Sequence, residues 1–271
     1  MSSHFTRLDN QRFGPWALVT GSSSGIGAAF ARHLAANGIN PVLVARRGPL
    51  LEQLGHELRA EFGADYRVIA LDLTSEDILT PIRAATDGLD VGLVISNAGD
   101  PLPGEFLRQP MHALSGQVRL DVHTPLQLIH HFGAKLVARG QGGLILVSAM
   151  GATDGLPLVA ASSAGKSFVE SLGRSLHGEF TKLGVNTTVL VVGPTDTRVI
   201  DLMGLDRARM PLKPQSAEAT AAEALAALVA NHPVHLSGRM NRLVHRVMPA
   251  AVTARMARSM VERGVATLAQ T

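Results

Sequence analysis

A chain of 271 residues, 46% hydrophobic and 17% charged, has the make-up of a folded globular protein rather than a disordered one. A net charge of +3 is too small for a surface built to hold nucleic acid, and the absence of cysteine removes disulfides and thiolate metal sites. That composition suits a reducing compartment, so the expected location is cytoplasmic. The opening residues MSSHFTRLDNQRFGPW hold no apolar signal-peptide core, and no apolar run reaches the ~18 residues of a membrane span, so neither is expected.

Short β-branched runs alternate with longer helical patterns along the chain, which predicts an α/β fold. The expected form is a doubly wound, Rossmann-type parallel sheet of about seven strands with helices on both faces. Strands are predicted at 16–20, 40–46, 66–72, 91–96, 143–149 and 185–192, with a short seventh at 232–237. Their near-continuous apolar character is that of strands buried on both sides. Helical periodicity fills 25–37, 48–62, 75–86, 112–139, 157–181 and 216–230. Residues 197–214 are irregular and mix Met203, Leu205, Met210 and Leu212 with arginines and prolines, a pattern that fits a lid over a pocket or an ordinary connection, the lid being the leading expectation. No repeat or linker interrupts the chain, so 1–271 is read as one domain, with 238–271 a basic helical extension. Its two helices break near Pro249, and Arg239, Arg242, Arg246, Arg255, Arg258 and Arg263 alternate there with apolar residues. Packing on the domain or on another subunit is expected of this tail; a membrane surface is not the expected partner.

The first strand runs into Thr20-Gly21-Ser22-Ser23-Ser24-Gly25-Ile26-Gly27, which opens a helix. Gly21 permits the tight turn, Gly25 lets backbone approach a pyrophosphate, and Gly27 lets the helix pack against the strand. The helix N-terminus offers N–H groups and partial positive charge to the phosphates, with Ser23, Ser24 and Ile26 beside them. At the end of the second strand, where an NAD site places an acid for the ribose 2′-hydroxyl, stand Arg46 and Arg47, and no acid follows before Glu52. Two guanidinium groups suit a 2′-phosphate, so the expected cofactor is NADP(H).

With these residues in place, the chain resembles the short-chain dehydrogenase/reductase family over roughly residues 14–237. The TGxxxGxG loop is at 20–27, and Asp72-Leu73 match the family's adenine contact. Asn97-Ala98-Gly99 match its Asn-Ala-Gly after the fourth strand. Val192-Gly193-Pro194-Thr195-Asp196-Thr197 match its Pro-Gly-x-x-x-Thr, with Val192 replacing the proline. The resemblance implies that Pro194, Thr195 and Thr197 line the nicotinamide and that Lys166 holds its ribose. It also implies a dimer or tetramer built through the helical patterns at 112–139 and 157–181.

The family's chemistry rests on a Tyr-x-x-x-Lys pair, a serine 13 residues before the tyrosine, and an asparagine in the preceding helix. Here the lysine is Lys166, the tyrosine position is Ser162, the serine position is Ala149 with Ser148 one place early, and the asparagine position is Asp121. The chain's one tyrosine, Tyr66, has alanine four places on, so no such pair exists anywhere in it. A phenol of pKa ~10 is a usable acid beside a lysine, whereas a serine hydroxyl is far weaker and shorter. Losing the donor at Ala149 removes an interaction that can be worth ~10²–10³ in rate.

The leading expectation is therefore an atypical oxidoreductase for a hydrophobic ketone or alcohol, with a centre drawn from Asp121, Ser148, Ser162 and Lys166, and His123 as a further candidate acid. Met150, Leu156, Leu158, Val159, Met203 and Met210 are the expected apolar pocket. Two alternatives stand beside it: a non-redox enzyme of isomerase, cyclase or lyase type, for which Ser162 and Lys166 at i and i+4 form a Ser–Lys pair, and a catalytically inactive NADP(H)-binding regulatory protein. His130-His131 lack partner ligands at suitable spacing, so no metal is expected.

Overall fold

The computed structural model describes residues 7–210 and 212–268, so the readings that touch residues 1–6, 211 and 269–271 lie outside the described residues. Among the described residues, seven strands form one all-parallel sheet in the order β3-β2-β1-β4-β5-β6-β7. The strands are β1 (Trp16–Thr20), β2 (Asn40–Ala45), β3 (Arg67–Ala70), β4 (Val91–Ser96), β5 (Gly142–Ala149), β6 (Val185–Val192) and β7 (Val234–Leu236). The order reverses between β1 and β4, the crevice where open α/β sheets bind ligands beyond the strand carboxyl ends.

The helices are α1 (Asn10–Phe13), α2 (Gly25–Ala36), α3 (Gly48–Phe62), α4 (Leu79–Thr86), α5 (Met111–Val118) and α6 (Thr124–Arg139). They continue with α7 (Ala160–Phe180), α8 (Arg198–Leu202), α9 (Ala217–Val229), α10 (Arg239–Val247) and α11 (Ala250–Leu268). Alternation along each strand divides the core in two. Ala17 and Val19 of β1 join Leu93 and Ile95 under Phe30 and Leu34 of α2 and Leu225 and Leu228 of α9. Leu18 faces the other way, with Val94, Leu144 and Leu146, onto Leu128, Phe132 and Leu136 of α6 and Val169 of α7. β4, at the centre, is buried along its whole length, which explains its unbroken apolar run.

Two helices differ from the sequence reading. The helix expected at 75–86 begins at Leu79, because Asp72 accepts from Thr74 N and Asp77 from Thr80 N, and these side-chain turns occupy the chain first. The single helix expected at 112–139 is α5 and α6 joined by a π-helical turn over Arg119–His123. Such a turn widens the helix by one residue, and here it turns Asp121 into the interior. The basic tail is two helices, as its pattern indicates, and α11 packs on the domain. Val261 and Val265 pack with Val159, Met203, Leu156, Leu158 and Leu205 in a satellite cluster over the carboxyl end of the sheet.

Candidate functional site

The ends of β1 and β4 are locked together at the crevice. Thr20 Oγ1 accepts from Asn97 N (2.9 Å) and Ala98 N (3.0 Å), while Asn97 Nδ2 donates to Thr20 O (2.9 Å). This leaves no room for side chains on the loop. A Cβ on Gly21 would lie 2.9 Å from Ala98 Cα, and one on Gly27 would lie 2.3 Å from Gly21 O. Gly21 and Gly25 also have φ of +69° and +57°, a region in which other residues are strained. Ser24 at the start of α2 makes no side-chain cap, so the helix's first N–H groups are not taken up by it. Glycines without room for a Cβ, together with an uncapped helix start, make a cradle that fits a dinucleotide pyrophosphate.

The two arginines at the end of β2 are turned to the cradle in different ways. Arg47 donates to Ser23 Oγ (2.9 Å) and Ser24 Oγ (3.1 Å). Arg46 pairs with Asp100 Oδ2 (2.9 Å), and Asp100 also takes Arg198 from the start of α8 (2.9 Å). Asp100 thus joins the two flanks of one cleft.

That cleft has a volume of about 670 Å³ and runs from Arg46 and Asp72 across the switch point to the satellite cluster. Of the residues singled out for the nucleotide, all border it except Gly27, whose role is the close packing of α2 behind the loop. Thr195 borders it mainly through its backbone side, since its hydroxyl donates to Gly193 O and meets Thr220. Met150, Leu156, Val159, Met203 and Met210 border it as expected. Leu158 does not, and packs in the satellite cluster instead, because its backbone turns into the left-handed region (φ 63°) and carries the side chain away. His123 is exposed and outside the cleft, so the π-turn that buries Asp121 sends the neighbouring candidate acid to solvent.

Asp121, Ser148, Ala149, Ser162 and Lys166 do converge at the cleft's centre. The Lys166 ammonium lies 3.2 Å from Asp121 Oδ1 and donates to Val147 O (3.1 Å). Asp121 is 1% exposed, and its Oδ2 accepts a short hydrogen bond from Gln117 Nε2, which also donates to Asp100 O. Two glycines make this convergence possible. A Cβ on Gly165 would lie 2.6 Å from Asp121 Cβ, and one on Gly99 would lie 2.7 Å from Lys166 Nζ. The serines are tied to backbone: Ser148 Oγ donates to Lys166 O (2.9 Å), and Ser162 Oγ accepts from Leu102 N (3.1 Å). Lys166 is thus held by a carboxylate and a carbonyl, and the Ser162 hydroxyl borders the same cleft one helical turn away. Tyr66 is elsewhere, its ring over Gly55 of α3 and its hydroxyl beside Glu52 and His56.

Several cleft residues escaped the sequence reading. Gln117 was hidden as an ordinary helix residue, and Asp100 and Arg198 carry no motif. Met260 and Val261 sit in a stretch whose arginines dominate its appearance. The cover over residues 197–210 is pinned by Arg207, which reaches Asp196 (2.7 Å), Asp201 and Thr197 O; its bond to Asp201 holds that carboxyl below the usual range. Gly204 and Gly264 then meet backbone to backbone, a Cβ on either falling 2.3 Å or less from the other segment's carbonyl oxygens.

A family model described as short chain dehydrogenase matches residues 15–206. The chain belongs to that family. The 7beta-hydroxysteroid dehydrogenase of Mediterraneibacter gnavus is 30% identical over 187 residues, 69% of this chain and 71% of that protein. A solved structure from a study of 7beta-hydroxysteroid dehydrogenase stereoselectivity superposes with a TM-score of 0.82 at 24% identity, over 92% of this short chain dehydrogenase and 98% of that chain. A short-chain dehydrogenase from Sphingobium yanoikuyae, solved in complex with NADPH, gives 0.77 at 24% identity, over 87% and 97%. These two likenesses are of fold.

Proposed function

We propose that this chain is an NADP(H)-dependent oxidoreductase for a hydrophobic ketone or alcohol, working with the substituted centre Asp121, Ala149, Ser162 and Lys166. The observation that carries the reading is one cleft in which a complete nucleotide cradle meets an apolar wall, with Lys166 at the junction. Arg46 and Arg47, with no acid before Glu52, favour the 2′-phosphate form of the cofactor. The relatives of this fold include a protein solved with NADPH and one named for a hydroxysteroid.

NADP(H), when bound, supplies or takes up the hydride. The chain's own residues have the other tasks. Gly21, Gly25 and the start of α2 hold the pyrophosphate, Asp72 and Leu73 flank the adenine, and Asn97, Ala98, Gly99 and Thr197 border the nicotinamide end. Lys166 orients the ribose and presents its positive charge to the substrate oxygen. Of the two serines, Ser162 accepts its backbone bond and so retains a proton to give, whereas the Ser148 proton is committed to Lys166 O. Ala149 offers no donor, so turnover is slow. The chain acts as a single domain over 1–271, with 238–271 its basic extension, and pairs with a second copy through the outer faces of α6 and α7.

Calorimetry with NADPH and NADH, followed by NADPH absorbance over a panel of apolar carbonyl compounds, tests this. Tighter binding of NADPH and slow turnover lost in Lys166→Ala are expected. Failure of both nucleotides to bind overturns the reading. One observation favours a second reading, a catalytically inactive NADP(H)-binding regulatory protein: both serine hydroxyls serve the backbone. NADPH binding without turnover, even in Ser162→Tyr with Ala149→Ser, selects it. Product without a change in NADPH absorbance selects the isomerase, cyclase or lyase type.

A further inference from the structure

The outer faces of α10 and α11 carry an unusual surface. Between Glu223 and Glu262 there is no acidic residue, but five arginines, more positive charge than the whole chain's +3. The rest of the molecule is therefore net negative, and its basic character is gathered at one end. Arg239, Arg246, Arg255 and Arg258 are exposed. Between them lie exposed apolar side chains: Met240 (55%), Leu243 and Val247 (71%) at i, i+3 and i+7 on α10, and Val252 and Met256 at i and i+4 on α11. Each helix thus presents one apolar stripe edged by guanidinium groups. The helices are held to the domain on their other sides. Arg242 donates to Glu223 Oε2 and to Leu236 O, and Asn241 to Ser237 O. In α11, Ala257, Val261 and Gly264 face the satellite cluster and the cover. The stripe also leads somewhere, because Met260, one turn beyond Met256 on the same side of α11, borders the cleft.

We propose that α10 and α11 seat the protein on an anionic lipid surface. Met240, Leu243, Val247, Val252 and Met256 enter the headgroup–acyl boundary, and Arg239, Arg246, Arg255 and Arg258 lie among the phosphates. Charge decides between this and a second copy of the chain. A two-fold contact sets the patch against itself, bringing arginine onto arginine, with a single exposed carboxylate, Glu262, at its far end. A bilayer of anionic lipid answers both the charge and the apolar stripe at once. Apolar substrate then passes from the lipid along Met256 and Met260 into the cleft; this last step rests on the proposed substrate class, whereas the docking does not.

The test is sedimentation of the full-length protein with vesicles of phosphatidylcholine alone and of phosphatidylcholine with phosphatidylserine, at low and high salt. Binding to the anionic vesicles, weakened by salt, is expected. Each basic residue near such a surface is worth enough that Arg246→Gln, Arg255→Gln and Arg258→Gln together should weaken it about 100-fold. Leu243→Gln with Val247→Gln should weaken it as well, while far-ultraviolet circular dichroism and NADPH binding stay unchanged in both variants. No binding to anionic vesicles at low salt overturns the proposal. So does binding indifferent to Leu243→Gln with Val247→Gln, which marks a site for an acidic partner held by charge alone. A dimer that dissociates in either variant would show a second copy on this face instead. Because the readout is vesicle binding, it stands or falls independently of whether NADPH is oxidised.

Discussion

The two halves of the cleft were built under different constraints. On the nucleotide side, backbone meets backbone: Gly21, Gly27 and Asn97 leave no atom's width to spare, and Thr20 ties β1 to the end of β4 through four hydrogen bonds. On the substrate side, the satellite cluster of Val159, Met203 and Val261 packs side chain on side chain, with one backbone contact at Gly204 and Gly264. A pyrophosphate has one shape, and a cradle of N–H groups tolerates few variations on it. An apolar wall holds its volume under many substitutions.

The sharpest way to break this contrast is at Gly27. Gly27→Val drives a side chain into Gly21 O, and neither atom is on a flexible side chain. NADPH affinity, measured by calorimetry, should fall by at least about 100-fold, a loss of about 3 kcal/mol or more. Asp121→Ala comes next, because it leaves the half-buried Lys166 ammonium without its carboxylate. Stability in urea should drop by about 1–3 kcal/mol. A loss below about 1 kcal/mol would mean that water reaches the pair. Gly264→Val separates the halves. It should cost about 1–3 kcal/mol by prising α11 from Met203, while NADPH affinity stays within about twofold. A parallel loss of NADPH affinity would show that the halves are coupled.

Two smaller effects sharpen the picture. Asp100 competes with a 2′-phosphate for Arg46, so Asp100→Asn should tighten NADPH a few-fold, in keeping with the roughly 0.2–1 kcal/mol of an exposed pair, and leave NADH unchanged. His33 on α2 has its pKa lowered by burial, against the pull of the Glu218 carbonyl of α9. Because its folded pKa lies below the unfolded value of about 6.5, the unfolded chain takes up the proton first. Its contribution is whole above that pH and is lost as pH falls toward the lowered value. Urea midpoints measured from pH 7 to 5 should fall, and fall less steeply in His33→Gln.

The same contrast governs what the amino-acid sequence disclosed. β1, β4 and β6 stand on the residues their apolar runs indicate, and the glycine loop, Arg46, Arg47 and Asn97 gather as their spacing implies. These are local signals, written in periods of two and in glycines that no other residue can replace. The π-turn at Asp121 was not legible, since it shifts the phase of the apolar repeat within 112–139 only once, at a point no residue type marks. Nor was the role of α11. Its inward residues are separated by arginines, and only the tertiary fold brings Met260 and Val261 to the cleft from far along the chain. Leu158 and His123 misled for a related reason, because backbone direction rather than residue type decides which way each one points.

The contact between Gly204 and Gly264 has a consequence for how such proteins diversify. A stitch of main chain, beside the side chains of Val261 and Val265, fastens the rear of the polypeptide to the cover, away from the glycine loop that grips the nucleotide. Exchanging the tail between relatives that keep both glycines would retailor the ligand chamber as a cassette, leaving the coenzyme engine beneath untouched.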